Sequence, residues 1–177
     1  MNLYLIGYRG CGKSTVAPLL ASHLHWEYVD TDLLIEHRVG RSIREIFLQQ
    51  GEAEFRRLET EVICSLPAQG NRIVALGGGA VLAETNRAWL AVSGKTVWLT
   101  ARPEILWRRI QSDPTSQQRR PDLTAQGGLA EVEQILGTRA AIYAGCADYT
   151  IDVADLSPRQ IAAHIVDWWQ AVDNNRT

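Results

Sequence analysis

The chain has 177 residues, 46% of them apolar and 21% charged, which is the make-up of a globular protein with room for a sizeable core. Its formal net charge of −2 excludes the basic surplus of a DNA-binding surface, so any bound anion must be held by locally placed cations. No apolar run reaches the roughly 20 residues of a membrane helix, and the odd cysteines Cys11, Cys64 and Cys146 show no pairing that would frame disulfides or zinc.

In chain order, NLYLIG (2–7) is a short apolar run ending in glycine and reads as a buried strand. Residues 13–25 carry Val16, Leu19, Leu20 and Leu24 at helical spacing, with Pro18 expected within about the first turn. WEYVD (26–30) is a second strand. Residues 31–66 read as helical with breaks near Gly40 and Gly51. RIVALGGG (72–79) is a third strand running into glycines, and KTVWLT (95–100) a fourth. Pro103 opens a helix, PEILWRRIQ, at the position proline favours. ADYTIDV (147–153) is a fifth strand. The closing helix spans 157–172, with Ser157 as N-cap and Pro158 at its first position, and Trp168 and Trp169 read as packing residues.

Strands separated by helices imply an α/β fold, a parallel sheet covered on both faces. One segment breaks the rhythm: SDPTSQQRRPDLTAQGG (112–128) is polar, contains Pro and Gly, and has no apolar period. A loop of that length is usually functional or disordered. No linker or internal repeat divides the chain, so residues 1–177 are expected to form a single domain. The N-terminal MNLYLIGYRG has neither a basic leader nor a long apolar stretch, so no signal peptide is expected, and a reducing cytoplasm suits the thiols.

GYRGCGKST (7–15) carries Gly7-x-x-x-x-Gly12-Lys13-Ser14, the P-loop pattern, between a strand and a helix as its mechanism requires. The glycines let backbone N–H groups turn toward phosphates, and the helix N-terminus adds partial positive charge. Lys13 is placed to reach the β/γ-phosphates and the Ser14 hydroxyl to ligate Mg²⁺. Cys11 inside the loop reads as a small residue filling a tight turn, with a reactive thiol as the alternative. Asp30-Thr31-Asp32 follows the second strand, where open α/β sheets line their ligand crevice. Two carboxylates there suit two jobs, holding Mg²⁺ and accepting a proton from an attacking hydroxyl. The plainer reading is that Asp30 or Thr31 caps the next helix.

Three further stretches bear on the phosphate's destination. GEAEFRRLE (51–59) puts Arg56 and Arg57 in a helix, LGGGAVL (76–82) ends a strand in three glycines that let a ligand approach, and TRAAIYAG (138–145) puts Arg139 in a helix. Singly, each could be a surface ion pair or a flexible turn. Together with the P-loop, DTD (30–32) and RRPDLT (119–124), they resemble the shikimate kinases over nearly the whole chain. The cysteine and arginine of GYRGCGKST look like the shikimate kinase II subset.

The resemblance implies a three-layer P-loop kinase fold with a five-stranded parallel sheet and a lid at about 112–128. It implies ATP-dependent phosphorylation of the 3-hydroxyl of shikimate, with Mg²⁺, on the pathway to chorismate. Gly10, Cys11, Gly12, Lys13, Ser14 and Thr15 would hold the phosphates, and Ser14 and Asp30 would organise Mg²⁺. Lys13, Asp32 and Arg120 would be catalytic, Asp32 by receiving the hydroxyl proton and Arg120 from the lid. Arg109 is similar to the family's adenine-stacking arginine. Asp32, Arg56, Gly77, Gly78, Gly79 and Arg139 would bind shikimate, the two arginines clamping its carboxylate. The lid departs from the family's common R-P-L-L by carrying Asp122, which adds a charge near the phosphates. A monomer with a small-molecule substrate is expected, with no nucleic-acid or membrane partner. The rival readings are a gluconate or nucleoside monophosphate kinase, against which the triple glycine and arginines speak, and a non-catalytic P-loop protein, against which the intact Lys13, Ser14, Asp30, Asp32 and Arg120 speak.

Overall fold

The computed structural model describes residues 1–113 and 127–174. Five strands, β1 (Asn2–Ile6), β2 (Glu27–Asp30), β3 (Arg72–Ala75), β4 (Gly94–Thr100) and β5 (Tyr149–Asp152), form one sheet in the order β2-β3-β1-β4-β5. Every pairing is parallel, with Leu5 beside Ala75 on one side and Val97 on the other. The helices are α1 (Lys13–Leu24), α2 (Thr31–Val39), α3 (Ile43–Ser65), α4 (Glu84–Ser93), α5 (Pro103–Ser112), α6 (Gly128–Cys146) and α7 (Pro158–Asn174), with a 3-10 turn at Ala80–Leu82. Among the described residues, no helix is long and apolar enough to cross a membrane.

The pleat sorts the strand residues onto two faces. Leu3, Leu5, Ile73, Ala75, Val97 and Leu99 join α1, α5 and α7 in one core. Tyr4, Ile6, Val74 and Leu76 join Ile63, Leu90 and Tyr143 in the other. β1 is therefore buried throughout, as a central parallel strand should be. A third, smaller cluster of Ile35, Ile43, Ile46, Phe55, Leu58 and Val62 holds α2 to α3. Trp169 meets Trp26 edge-on at 5.0 Å and Trp168 stacks on Tyr149 at 5.1 Å, so the tryptophan pair packs α7 onto the body.

The helix signals place the ends well. Ser42 and Glu45 make a reciprocal capping box at the start of α3. Ser157 accepts from Gln160 N at 3.3 Å while Gln160 Oε1 accepts from Ser157 N at 2.9 Å, the same device before α7. Gly40 ends α2 in the left-handed region (φ 70°). Gly51 kinks α3 with φ 81° rather than ending it.

Several expectations need adjusting. Pro18 lies in the second turn of α1, where its missing N–H removes the bond that Ser14 C=O would accept. The third strand stops at Ala75, because the three glycines leave the sheet for the crevice. A helix sits between the third and fourth strands, α4, whose polar start ETNR hides its apolar face. α6 begins at Gly128, ten residues before TRAAIY. Most of the expected lid, 114–126, including Arg120 and Asp122, lies outside the described residues.

Candidate active site

β1 delivers the chain into the loop at Gly7, whose φ of 134° few side chains adopt and where a Cβ would fall 2.3 Å from Leu99 O. Gly10 is similarly confined, with φ 81° and Leu106 O 2.9 Å from a built Cβ. Gly12 (φ 95°) precedes α1, and no side chain caps that helix. The loop's main-chain donors and the positive end of α1 thus face a cleft.

Lys13 Nζ donates to Gly7 O at 2.7 Å and Tyr8 O at 3.1 Å, and lies 3.5 Å from Cys11 Sγ. The ammonium is therefore held over the loop by the loop's own carbonyls. Cys11 is fully buried among Leu5, Val16 and Leu106, which suits the space-filling reading of its side chain.

Asp30 caps α2 with one carboxylate oxygen and turns the other toward the loop. Its Oδ1 accepts from Asp32 N at 3.0 Å and Leu33 N at 3.2 Å, capping α2. Its Oδ2 accepts from Ser14 Oγ at 2.9 Å and Tyr28 OH at 3.3 Å. The cap fixes the carboxylate's rotamer and leaves the second oxygen beside the mouth of the loop. Thr31, fully buried, ties this corner to the next strand: its Oγ1 donates to Ala75 O at 3.3 Å and accepts from Gly77 N at 3.2 Å. Sequence reasoning saw Thr31 only as a possible cap.

A cleft of about 500 Å³ collects most of the expected residues. Gly10 through Thr15, Asp30, Asp32, Gly77, Gly78 and Arg109 all line it. Arg109 sits at the far end near Leu156 and Pro158, its Nη2 donating to Val153 O at 2.7 Å and Ala154 O at 3.2 Å.

The other two expected arginines join through the glycine run. Arg139 Nη1 donates to Gly78 O at 3.4 Å, and the Tyr143 hydroxyl donates to the same oxygen. A Cβ on Gly79 would lie 2.4 Å from Arg56 Nη2, and one on Gly78 would lie 3.5 Å from Arg9 N. The run therefore touches the phosphate loop and both arginines at once.

Arg56 is already engaged. Glu59, 1% exposed, binds Nη1 at 2.8 Å, and Glu52, 56% exposed, binds Nη2 at 3.0 Å. Burial opposes the guanidinium's charge, but the two carboxylates outweigh it and hold its pKa above the ordinary arginine range. Burial pushes the Tyr143 and Tyr8 hydroxyls up as well, with Arg139 and Arg9 respectively opposing the shift. Arg57, by contrast, pairs with Glu54 and Glu61 on the surface of α3. The sequence could not tell the two adjacent arginines' surroundings apart without knowing which face of α3 meets Gly79. It also gave no sign of a buried ion pair between Arg9 and Glu131, 2.6 Å apart and 122 residues apart in the chain.

The family model described as shikimate kinase matches residues 9–170. A shikimate kinase from Rhodopirellula baltica is 41% identical over 93% of this chain and 88% of its own. One from Synechococcus sp. is 40% identical over 97% of this chain and 87% of its own. Among solved structures, the shikimate kinase from Acinetobacter baumannii in complex with shikimate superposes with a TM-score of 0.89 at 33% identity, covering 96% of this chain and 93% of that one. The P-loop, the strand-end carboxylates and the glycine run with its arginines sit in a chain whose sequence matches that family almost from end to end: it belongs to the shikimate kinase family.

Proposed function

We propose that this chain, working as one domain and as a monomer, transfers the γ-phosphoryl group of ATP to the 3-hydroxyl of shikimate, giving shikimate 3-phosphate and ADP. The observation that carries the reading is the Gly77–Gly79 run, which contacts the phosphate loop, Arg56 and Arg139 together. A phosphate donor and a carboxylate-bearing acceptor would therefore meet across it. The free thiols of Cys11, Cys64 and Cys146 suit a reducing cytoplasm as its setting.

The loop fits a nucleotide's phosphates. Its glycines adopt left-handed backbone and α1 has no side-chain cap, so main-chain N–H groups face the cleft. Arg109, Leu156 and Pro158 provide a mixed cationic and apolar end for the base. Ser14 Oγ and Asp30 Oδ2, 2.9 Å apart, are the hard oxygen donors a magnesium ion takes, directly or through water. When bound there, Mg²⁺ supplies charge neutralisation for the phosphate oxygens.

The protein's own residues then do the following. Lys13 exchanges its bonds to Gly7 O and Tyr8 O for phosphate oxygens and meets the charge that develops during transfer. Arg56 and Arg139 hold the acceptor carboxylate. At Arg56 the exposed Glu52 gives way while the buried Glu59 keeps the guanidinium oriented. Asp32 accepts the acceptor's hydroxyl proton as the new O–P bond forms and the bond to the ADP oxygen breaks. Arg120, the remaining expected catalytic residue, lies outside the described residues.

The test is ADP release across shikimate, quinate, gluconate and nucleoside monophosphates, each with ATP and Mg²⁺. Turnover with shikimate far above the others is expected. Preferred turnover of gluconate or of a nucleoside monophosphate would overturn the reading.

A further inference from the structure

Arg9 stands in the phosphate loop and lines the cleft, and its Nη2 meets Glu131 Oε1 at 2.6 Å. Glu131 is fully buried and Arg9 is 17% exposed. The carboxylate sits in the first turn of α6, where the helix dipole favours negative charge. Eight residues further along α6, about 12 Å at the helical rise, is Arg139. Spacings of four place Glu131, Ile135, Arg139 and Tyr143 along one side of the helix. α6 thus touches the phosphate loop directly through Glu131 and indirectly through Gly78, whose carbonyl takes Arg139 and Tyr143 and whose backbone packs on Gly7 and Arg9.

A buried ion pair is a poor source of stability, because apolar residues of similar volume often serve as well or better. Its better-attested use is to fix one arrangement among several. Here the two partners belong to the element that would hold the nucleotide's phosphates and to the helix that would hold the acceptor's carboxylate.

We propose that Glu131 is a positioning residue: through Arg9 it fixes the start of α6 to the phosphate loop, so that phosphates in the loop set the helix carrying Arg139 and tighten acceptor binding. The inference rests on the assignment of Arg139 to the acceptor. A loop without phosphates lets Arg9 move, and the first turn of α6 moves with it. A loop ordered by a nucleoside diphosphate holds Arg9, Glu131 and the two turns beyond in one geometry. Binding at each site then favours binding at the other by the same factor.

The experiment compares wild type with the double variant Arg9→Met/Glu131→Gln, which removes both charges of the pair together. Glu131→Gln alone is the second variant. Two measurements are made on the full chain. The first is the shikimate dissociation constant, by calorimetry, without and with saturating Mg·ADP. Wild type should bind shikimate about 5- to 150-fold more tightly with ADP, the usual range of such coupling, and both variants should lose most of that ratio. A merely structural role would weaken binding equally with and without ADP and leave the ratio intact. The second is amide hydrogen exchange with Mg·ADP alone. Wild type should gain protection in both 8–16 and 129–139, and the double variant only in 8–16. A variant that keeps the wild-type ratio, or equal protection of 129–139 in both proteins, overturns the proposal. Should wild type bind no shikimate under either condition, the acceptor assignment fails, and the exchange measurement still decides whether Glu131 links loop and helix.

Discussion

The proposed phosphate end of the cleft is formed by the loop Gly7 to Thr15, of which Arg9 to Thr15 line it. The proposed acceptor end draws on Arg56 of α3, Arg139 of α6 and the glycines after β3, segments far apart in sequence; of these, Gly77 and Gly78 line the cleft, while Arg56 and Arg139 adjoin it through the glycine run. At the first end the demand falls on backbone shape: Gly7 and Gly10 have neighbours closer than a Cβ allows. At the second it falls on where charged side chains come to rest. Arg56 rests between two glutamates and Arg139 against a carbonyl. Changes at the first end should therefore damage the loop or the chemical step. Changes at the second should damage affinity for one substrate.

The largest effect should come from Lys13→Ala. The ammonium is held by loop carbonyls and is our candidate for meeting transition-state charge, so kcat should drop about 10²- to 10³-fold. Steady-state rates with saturating shikimate and ATP check this, and an unchanged kcat would remove Lys13 from the chemistry.

Arg56→Ala and Arg139→Ala should act at the other end. Charge-assisted bonds to a carboxylate are worth roughly 1.5–3 kcal/mol each, so the shikimate KM should rise about 10- to 150-fold. The ATP KM should move much less. A rise shared equally by both substrates would erase the distinction between the two ends.

A pair of alanine substitutions sharpens it further. Gly7→Ala forces a Cβ against Leu99 O at a φ of 134°, with backbone on both sides of the clash. It should lower the melting temperature, with a cost of at least about 1–3 kcal/mol. For Gly79→Ala the three atoms nearest the new Cβ all belong to the guanidinium of Arg56, the far end of a long side chain. This substitution should leave the melting temperature within a few degrees and raise the shikimate KM, by less than Arg56→Ala does. Thermal melts and KM values on both variants decide this, and the reverse pattern would contradict it.

The smallest effect concerns Tyr143, whose hydroxyl is pushed above its ordinary value of 10.0 by burial. A raised folded pKa means that the stability this group contributes is intact below about pH 10 and lost as pH climbs beyond it. Tyr143→Phe should cost about 1 kcal/mol at neutral pH through the lost bond to Gly78 O. Urea unfolding from pH 7 to 11 should show the gap between wild type and variant narrowing above pH 10. A constant gap would mean that burial does not favour the neutral hydroxyl.

How far each end was legible follows from the same difference. The loop's place between β1 and α1 was legible, because Gly7, Gly12, Lys13 and Ser14 form a pattern at fixed short spacing. The arginines were reached only through resemblance to a family. Nothing in FRRLE says that Arg56 turns toward Gly79 and Glu59 while Arg57 turns toward Glu54 and Glu61. α4 was missed because its first turn is polar and its apolar residues follow as one run, Ala88 to Val92, rather than at helical spacing.

The sequence by itself determined the local pieces: the alternation of apolar runs and helical periods, the cap at Ser157, the loop, and the carboxylates ending β2. These depend on residues within a few positions of one another, where backbone geometry leaves little choice. The tertiary structure alone decided the strand order, the bridge of Thr31 to Gly77, the two-glutamate setting of Arg56 and the pairing of Arg9 with Glu131. Those contacts join residues three or four positions apart on one helix face, or 46 and 122 positions apart in the chain. Which of the possible partners meet is set by how the helices pack on the two faces of the sheet, and only the folded chain carries that information.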